Sequence, residues 1–171
     1  MRCLSLHNPW ASLIAVGAKS LETRSWQTPY RGELAIHAAK TTASLDRLRD
    51  LYAEAFPDGD GPVAVDEVEV HALETLGCVV AVADLVDCFE CGEWVAVPSG
   101  DPSARVARGY GYVATAADFV LGDLSPGRFA WVLRNVRPLK QPVPVRGYQG
   151  VFTLPPKVAS AVYAAMWVPV P

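Results

Sequence analysis

Lys19, Glu22 and Arg24 place a cation, an anion and a second cation within six residues, and Trp26 follows two positions on. An extended backbone from Ser20 to Trp26 puts Glu22, Arg24 and Trp26 on one face, with Leu21, Thr23 and Ser25 on the other. Lys19, in the turn before, leans over the same row and meets Glu22. Left in water, the row is a solvated strand face with a surface ion pair that contributes little. Lining a cleft, it has two uses. Cations beside an aromatic ring hold a phosphate and a splayed base. Alternatively, a lysine beside a carboxylate does acid–base or nucleophilic chemistry once burial lowers its pKa, a shift that Glu22 opposes.

Other reactive side chains are sparse. His37 stands alone on a strand over residues 33–39, facing away from Leu34 and Ile36; it reads as a hydrogen-bonded scaffold residue that can also border a site. Cys88 and Cys91 form a single C-x-x-C, Cys3 and Cys78 are isolated, and the three histidines show no zinc spacing with them. Two ligands are half a structural zinc site, so neither metal nor cofactor is expected. No serine–histidine or cysteine–histidine set and no phosphate-cradling glycine loop is legible.

The elements that must hold the row are clearer. Arg2 to His7 alternates as a half-buried strand. Asn8 is the expected N-cap and Pro9 the first residue of a helix whose Trp10, Leu13, Ile14 and Gly17 fall at i, i+3, i+4 and i+7. Gly17 closes it. Thr42 to Phe56 has helical spacing, and Asp66 to His71 reads as a solvated acidic face leading into a short helix through Leu73 and Leu76. Gly77 to Val86 is an apolar run of the kind buried on both sides. Residues 88–120 carry no clear pattern. Arg128 to Arg137 reads as a strand ended by Pro138, Pro142 and Pro144. Arg146 to Leu154 forms a last strand whose Gly147 and Gly150 imply unusual backbone angles or close approach, and Val158 to Trp167 a short helix.

At 171 residues, 51% hydrophobic and 19% charged, the chain is expected to make one domain over residues 1–171, with an acidic helical and loop insertion around 42–77. No apolar run is long enough for a membrane span and no signal peptide is legible, so a cytoplasmic protein is expected. The net charge of −3 conceals a division: residues 1–45 carry +3, residues 46–93 carry −11 and residues 94–171 carry +5. The acidic total argues against strong non-specific binding to nucleic acid, whereas the basic ends can meet to form a local anion-attracting surface. Strands outnumber the helices available to cover an open sheet, which suggests an α+β domain built as a small barrel.

Two stretches together carry a resemblance. Leu6-His7-Asn8-Pro9-Trp10-Ala11, Gly17-x-Lys19-x-x-Glu22-x-Arg24 and Tyr30-Arg31-Gly32, followed by Ser125 to Leu133 and Pro144 to Gly150, are similar to the ASCH (activating signal cointegrator homology) family. The resemblance implies an α+β, PUA-like β-barrel with flanking helices, its first helix and the G-x-K-x-x-E-x-R stretch lining a cleft. It implies RNA or other single-stranded nucleic acid as partner, or a modified nucleoside, since one branch of the family hydrolyses a modified cytidine with a lysine, a threonine and a glutamate. Lys19 falls on that lysine; Glu22 stands where the threonine would be. The expected binding set is Pro9, Trp10, Lys19, Glu22, Arg24, Trp26, Arg31 and His37, with Lys19 and Glu22 catalytic if the protein is an enzyme, a point the sequence leaves open.

Overall fold

The computed structural model describes residues 1–96, 105–107 and 112–166. In chain order these form β1 (Arg2–Leu6), α1 (Trp10–Ala15), β2 (Leu21–Arg24), β3 (Gly32–Ala38), α2 (Leu48–Ala55), α3 (Val65–Glu74) and β4 (Cys78–Glu90). There follow β5 (Trp94–Ala96), β6 (Arg105–Ala107), β7 (Val113–Ala114), α4 (Ala116–Leu121), β8 (Phe129–Pro144), β9 (Val151–Thr153) and α5 (Pro156–Ala165). Six strands make one mixed sheet in the order β2-β8-β4-β3-β1-β9, and β5-β6-β7 form a small second sheet.

The large sheet curls as half a barrel because its long central strands are bulged. The β4–β8 register slips at three places, between Val79 and Ala81, Val82 and Asp84, and Leu85 and Asp87, and each extra residue bends the strand. Asn135, opposite this region, takes the left-handed conformation (φ 49°) and donates from Nδ2 to Asp84 Oδ2 at 2.9 Å. Both faces of the sheet are covered. On one, Leu4, Leu6, Leu34, Ile36, Leu85 and Trp131 pack with Ala11 and Ile14 of α1. On the other, Cys3, Ala35, Val79 and Val82 meet Ala159 and Val162 of α5. The apolar run of β4 is therefore buried on both sides, as expected.

Helix α1 is a wedge between the sheet and a second layer, for its Leu13 packs with Leu48, Leu51, Tyr52, Val68 and Leu121 of α2, α3 and α4. It begins one residue later than expected, with Pro9 at the cap position. Asn8 still serves the helix start, its Oδ1 accepting from Ser12 N (3.3 Å) and Ser12 Oγ (3.0 Å). Gly17 ends the helix at φ +81°, its N–H donating to Ile14 O, and Lys19 N–H donates to Leu13 O.

Five expectations need correction. The 42–56 helix is shorter, a 3-10 turn at Leu45–Arg47 followed by α2. The acidic run lies inside α3, because Val68 and Ala72, four apart, turn inward while Asp66 and Glu67 occupy the first turn, where the helix dipole favours them; Leu76 lies beyond the helix. Strand β8 does not stop at Pro138. It continues along β4, with Pro138 opposite Ala81 and Pro144 opposite Cys78, after its pairing with β2 has ended at Val132. The last strand is only β9, and Pro144, the end of β8, leads with residues 145–150 into a strap instead. Helix α5 runs 156–165, and Trp167 lies outside the described residues.

Candidate functional site

Strand β2 pairs with the start of β8, Glu22 opposite Trp131 and Arg24 opposite Phe129. This puts Leu21 into an apolar cluster with Phe89 and Val132 and turns Glu22 and Arg24 to the other face. The row is not a solvated one: Lys19 is 3% exposed and Glu22 6%. The reason is long-range, since the end of α4 lies across the row. Lys19 Nζ donates to Leu121 O at 2.6 Å, stands 3.9 Å from Glu22 Oε2, and lies 5.8 Å from the centre of the Trp10 ring. Gly122 keeps the approach open, for a Cβ there would meet Asp118 O at 3.0 Å and Lys19 Nζ at 3.5 Å.

Burial pushes the Lys19 pKa below its ordinary value; Glu22 and Asp118 oppose the shift and Arg24 adds to it. Arg24 Nε lies 3.1 Å from Glu22 Oε1, a Coulombic contact without hydrogen-bond alignment, while Nη2 donates to Ser5 O at 3.1 Å. One carboxylate thus serves two cations, one sealed and one reaching outward.

Two cavities open beside this row. The smaller, about 420 Å³, is lined by Trp10, Lys19, Glu22, Arg24, Arg47 and Arg128 among others. The larger, about 1280 Å³, is lined by Ser5, Arg24, Trp26, His37 and Lys40, by Gly77 and Cys78 at the start of β4, and by the strap from Pro144 to Gly150. His7 and Arg24 line both. Trp26, 37% exposed, stands edge-on to buried Trp131 with ring centres 4.7 Å apart, and Trp131 Nε1 donates to Trp26 O.

His37 is buried at the floor of the larger cavity. The carbonyl of Val145 can only accept, so His37 Nε2 carries the proton and donates to it (3.1 Å); Nδ1 then accepts from the Ser5 hydroxyl (3.0 Å). Desolvation holds its pKa below the ordinary histidine value. His37 is thus hydrogen-bonded on both ring nitrogens, and it is among the residues that line the larger cavity.

Pro9 and Arg31, two of the eight expected site residues, line neither cavity. Pro9 is buried at the start of α1. Arg31 donates to Asp87 Oδ1 (3.0 Å) and to the carbonyls of Thr28, Tyr30 and Cys88, tying the turn before β3 to β4. Sequence reasoning did not single out Ser5, His7, Lys40, Arg47, Arg128, Arg146, Tyr148 or Gln149 as site residues. A signal for the strap existed in its glycines: Gly150 has φ +68°, and a Cβ on Gly147 would meet His37 Cε1 at 2.5 Å and Ser5 Oγ at 2.6 Å.

The cysteines offer no ready chemistry. Burial pushes Cys91 up to about 11 and Cys3 to about 12, raises Cys88 as well, and all four are free thiols. Among the described residues, no three His, Cys, Asp or Glu side chains gather as a metal site, and no helix is long and apolar enough to cross a membrane.

Fold and site together define an α+β half-barrel with a buried charged row beside its first helix. The sequence profile of the ASCH domain matches residues 4–142, and the chain belongs to that family, which is linked in general to RNA binding. It is 38% identical over 87 residues to activating signal cointegrator 1 of Homo sapiens and, equally, of Mus musculus; the match takes in 51% of this chain and 14% of each relative's length. Among solved structures it is similar to ASCH from Zymomonas mobilis (14% identity, TM-score 0.48, 97% of this chain and 95% of that one). A single-site mutant of the same protein aligns at 14% identity and TM-score 0.49, over 97% and 98% of the two chains.

Proposed function

We propose that this chain, acting as one domain, binds single-stranded RNA in the cleft opened by the G-x-K-x-x-E-x-R stretch. The observation that carries the reading is Arg24, whose side chain lines both cavities, the smaller of which is also lined by Trp10 and the larger by Trp26. Arg24 contacts phosphate, held outward by Glu22 and the Ser5 carbonyl, and a splayed base stacks on Trp26 or Trp10. Lys19, committed to Leu121 O, supplies field rather than a direct grip. Membership of the ASCH family supports the same ligand class. The test is fluorescence anisotropy of labelled single-stranded RNA at low and near-physiological salt. Arg24→Glu is expected to lose roughly tenfold or more in affinity and to flatten the salt dependence; equal affinity for wild type and variant overturns the reading.

A second reading is favoured by the burial of Lys19, which lowers its pKa beside Glu22 and suits it to acid–base or nucleophilic work on a modified nucleoside. Its signature is release of a free carboxylic acid from N-acylated nucleosides, abolished in Lys19→Ala. Absence of release from a panel of such nucleosides sinks it.

A further inference from the structure

The larger cavity is built from residues outside the G-x-K-x-x-E-x-R stretch, apart from Arg24. Among the described residues its charged lining side chains are Arg24, Lys40 and Arg146, with no aspartate or glutamate, although the chain as a whole carries −3. A wall of one sign in an acidic protein focuses potential and selects an anion. Tyr148 adds an aromatic surface: it is 54% exposed, braced by Phe152 with ring centres 5.3 Å apart, and has the Arg146 guanidinium 5.5 Å from its ring centre. A backed, half-exposed tyrosine beside an arginine is the arrangement on which nucleobases stack.

The wall is anchored where it begins. Val145 accepts from His37 and its N–H donates to Gly77 O (3.1 Å), while Gly147 lies directly on the Ser5–His37 pair. At about 1280 Å³ the space exceeds the roughly 300–1,000 Å³ that encloses one small ligand, as a groove for a polymer segment would. His7 and Arg24 line the smaller cavity as well.

We infer that the cavity under the 144–150 strap is a second nucleotide subsite, with Tyr148 stacking the base and Lys40 and Arg146 holding its phosphate. A single RNA strand then occupies both cavities across at least one dinucleotide step, its linking phosphate at Arg24. The inference rests on the RNA-binding reading above and extends it to residues of the opposite end of the chain.

The experiment measures anisotropy of a labelled eight-nucleotide oligouridylate with wild type, Arg24→Glu, Arg146→Glu and Tyr148→Ala, and competes the bound probe with UMP and with UpU. Arg146 and Tyr148 are exposed, so both variants are expected to fold, which far-UV circular dichroism and Tm check. Each is expected to weaken binding by roughly tenfold or more, Arg146→Glu with a shallower salt slope, and UpU is expected to compete far better than UMP. If wild type binds and Arg24→Glu does not, while Arg146→Glu and Tyr148→Ala bind like wild type, the second subsite is overturned and RNA binding at the motif stands. UMP competing as well as UpU overturns the two-nucleotide step. No binding by wild type removes the RNA reading itself, and this inference with it.

Discussion

Glu22 and Arg24 sit two residues apart on β2 with a carboxylate oxygen 3.1 Å from the guanidinium Nε, and the same carboxylate faces the sealed Lys19 ammonium from 3.9 Å. The anion is the shared counter-charge of an inner and an outer cation. That arrangement makes the stability of the row, and the RNA binding proposed for it, depend on one side chain.

Removing that charge should be costly. Glu22→Gln keeps the shape but leaves Lys19 buried without its nearest counter-ion, and truncating one partner of a buried pair costs about 3–5 kcal/mol. Urea denaturation should show a lower midpoint at unchanged slope. In Lys19→Met/Glu22→Gln, where no buried lysine remains, part of the loss should be recovered; a double variant no better than the single one would show that Lys19 is not the aggrieved partner.

The His37 pKa gives a pH dependence with a definite sign. Because the folded value lies below the ordinary 6.5, the unfolded chain binds a proton first as pH falls. The stability linked to this group is present above about 6.5 and is lost as pH falls toward the folded value. His71 is shifted in the same direction, so the contribution of His37 is read as a difference. His37→Gln should flatten the acid limb of stability against pH relative to wild type; parallel limbs would mean His37 titrates alike in both states.

Gly147 and Gly150 should respond differently to alanine. At Gly147 the new methyl group collides with the His37 ring and Ser5 Oγ, which are hydrogen-bonded to each other, so the strap must lift. Gly147→Ala should lose about 1–3 kcal/mol, as overpacked sites do, and weaken RNA binding. At Gly150 there is open space and only the φ of +68° to oppose, costing about 1–2 kcal/mol, with a smaller effect on binding. Thermal unfolding and anisotropy on the two variants check both; equal RNA affinities would detach the strap from the ligand.

Arg31 is a control on the same side of the sequence. Its guanidinium is spent on Asp87 and three carbonyls, and the pair with Asp87 is exposed. Arg31→Ala should lower stability by about 1 kcal/mol and leave RNA affinity within about twofold. A loss as large as that of Arg24→Glu would move the ligand path toward the turn before β3.

By itself the sequence determined what short-range physics controls. The helical stripe of Trp10, Leu13 and Ile14 and the stop at Gly17 delimit α1, and β2 follows with Glu22 and Arg24 on a common face. The continuous apolar run of β4 needed two covered faces, and the motifs sufficed to identify the family. Tertiary structure decided everything that depends on which segments meet. Residue alternation cannot say whether a charged row meets water or a helix end, and it is Leu121, 102 positions from Lys19, that seals the lysine. Likewise β8 runs past its prolines because its pairing with β4 continues to Pro144, and this carries the strap to His37, 108 positions from Val145. A pairing across such separations is fixed by the closing of the whole sheet, so the second cavity, and the separation of Arg24 from Arg31, exist only once the chain has folded.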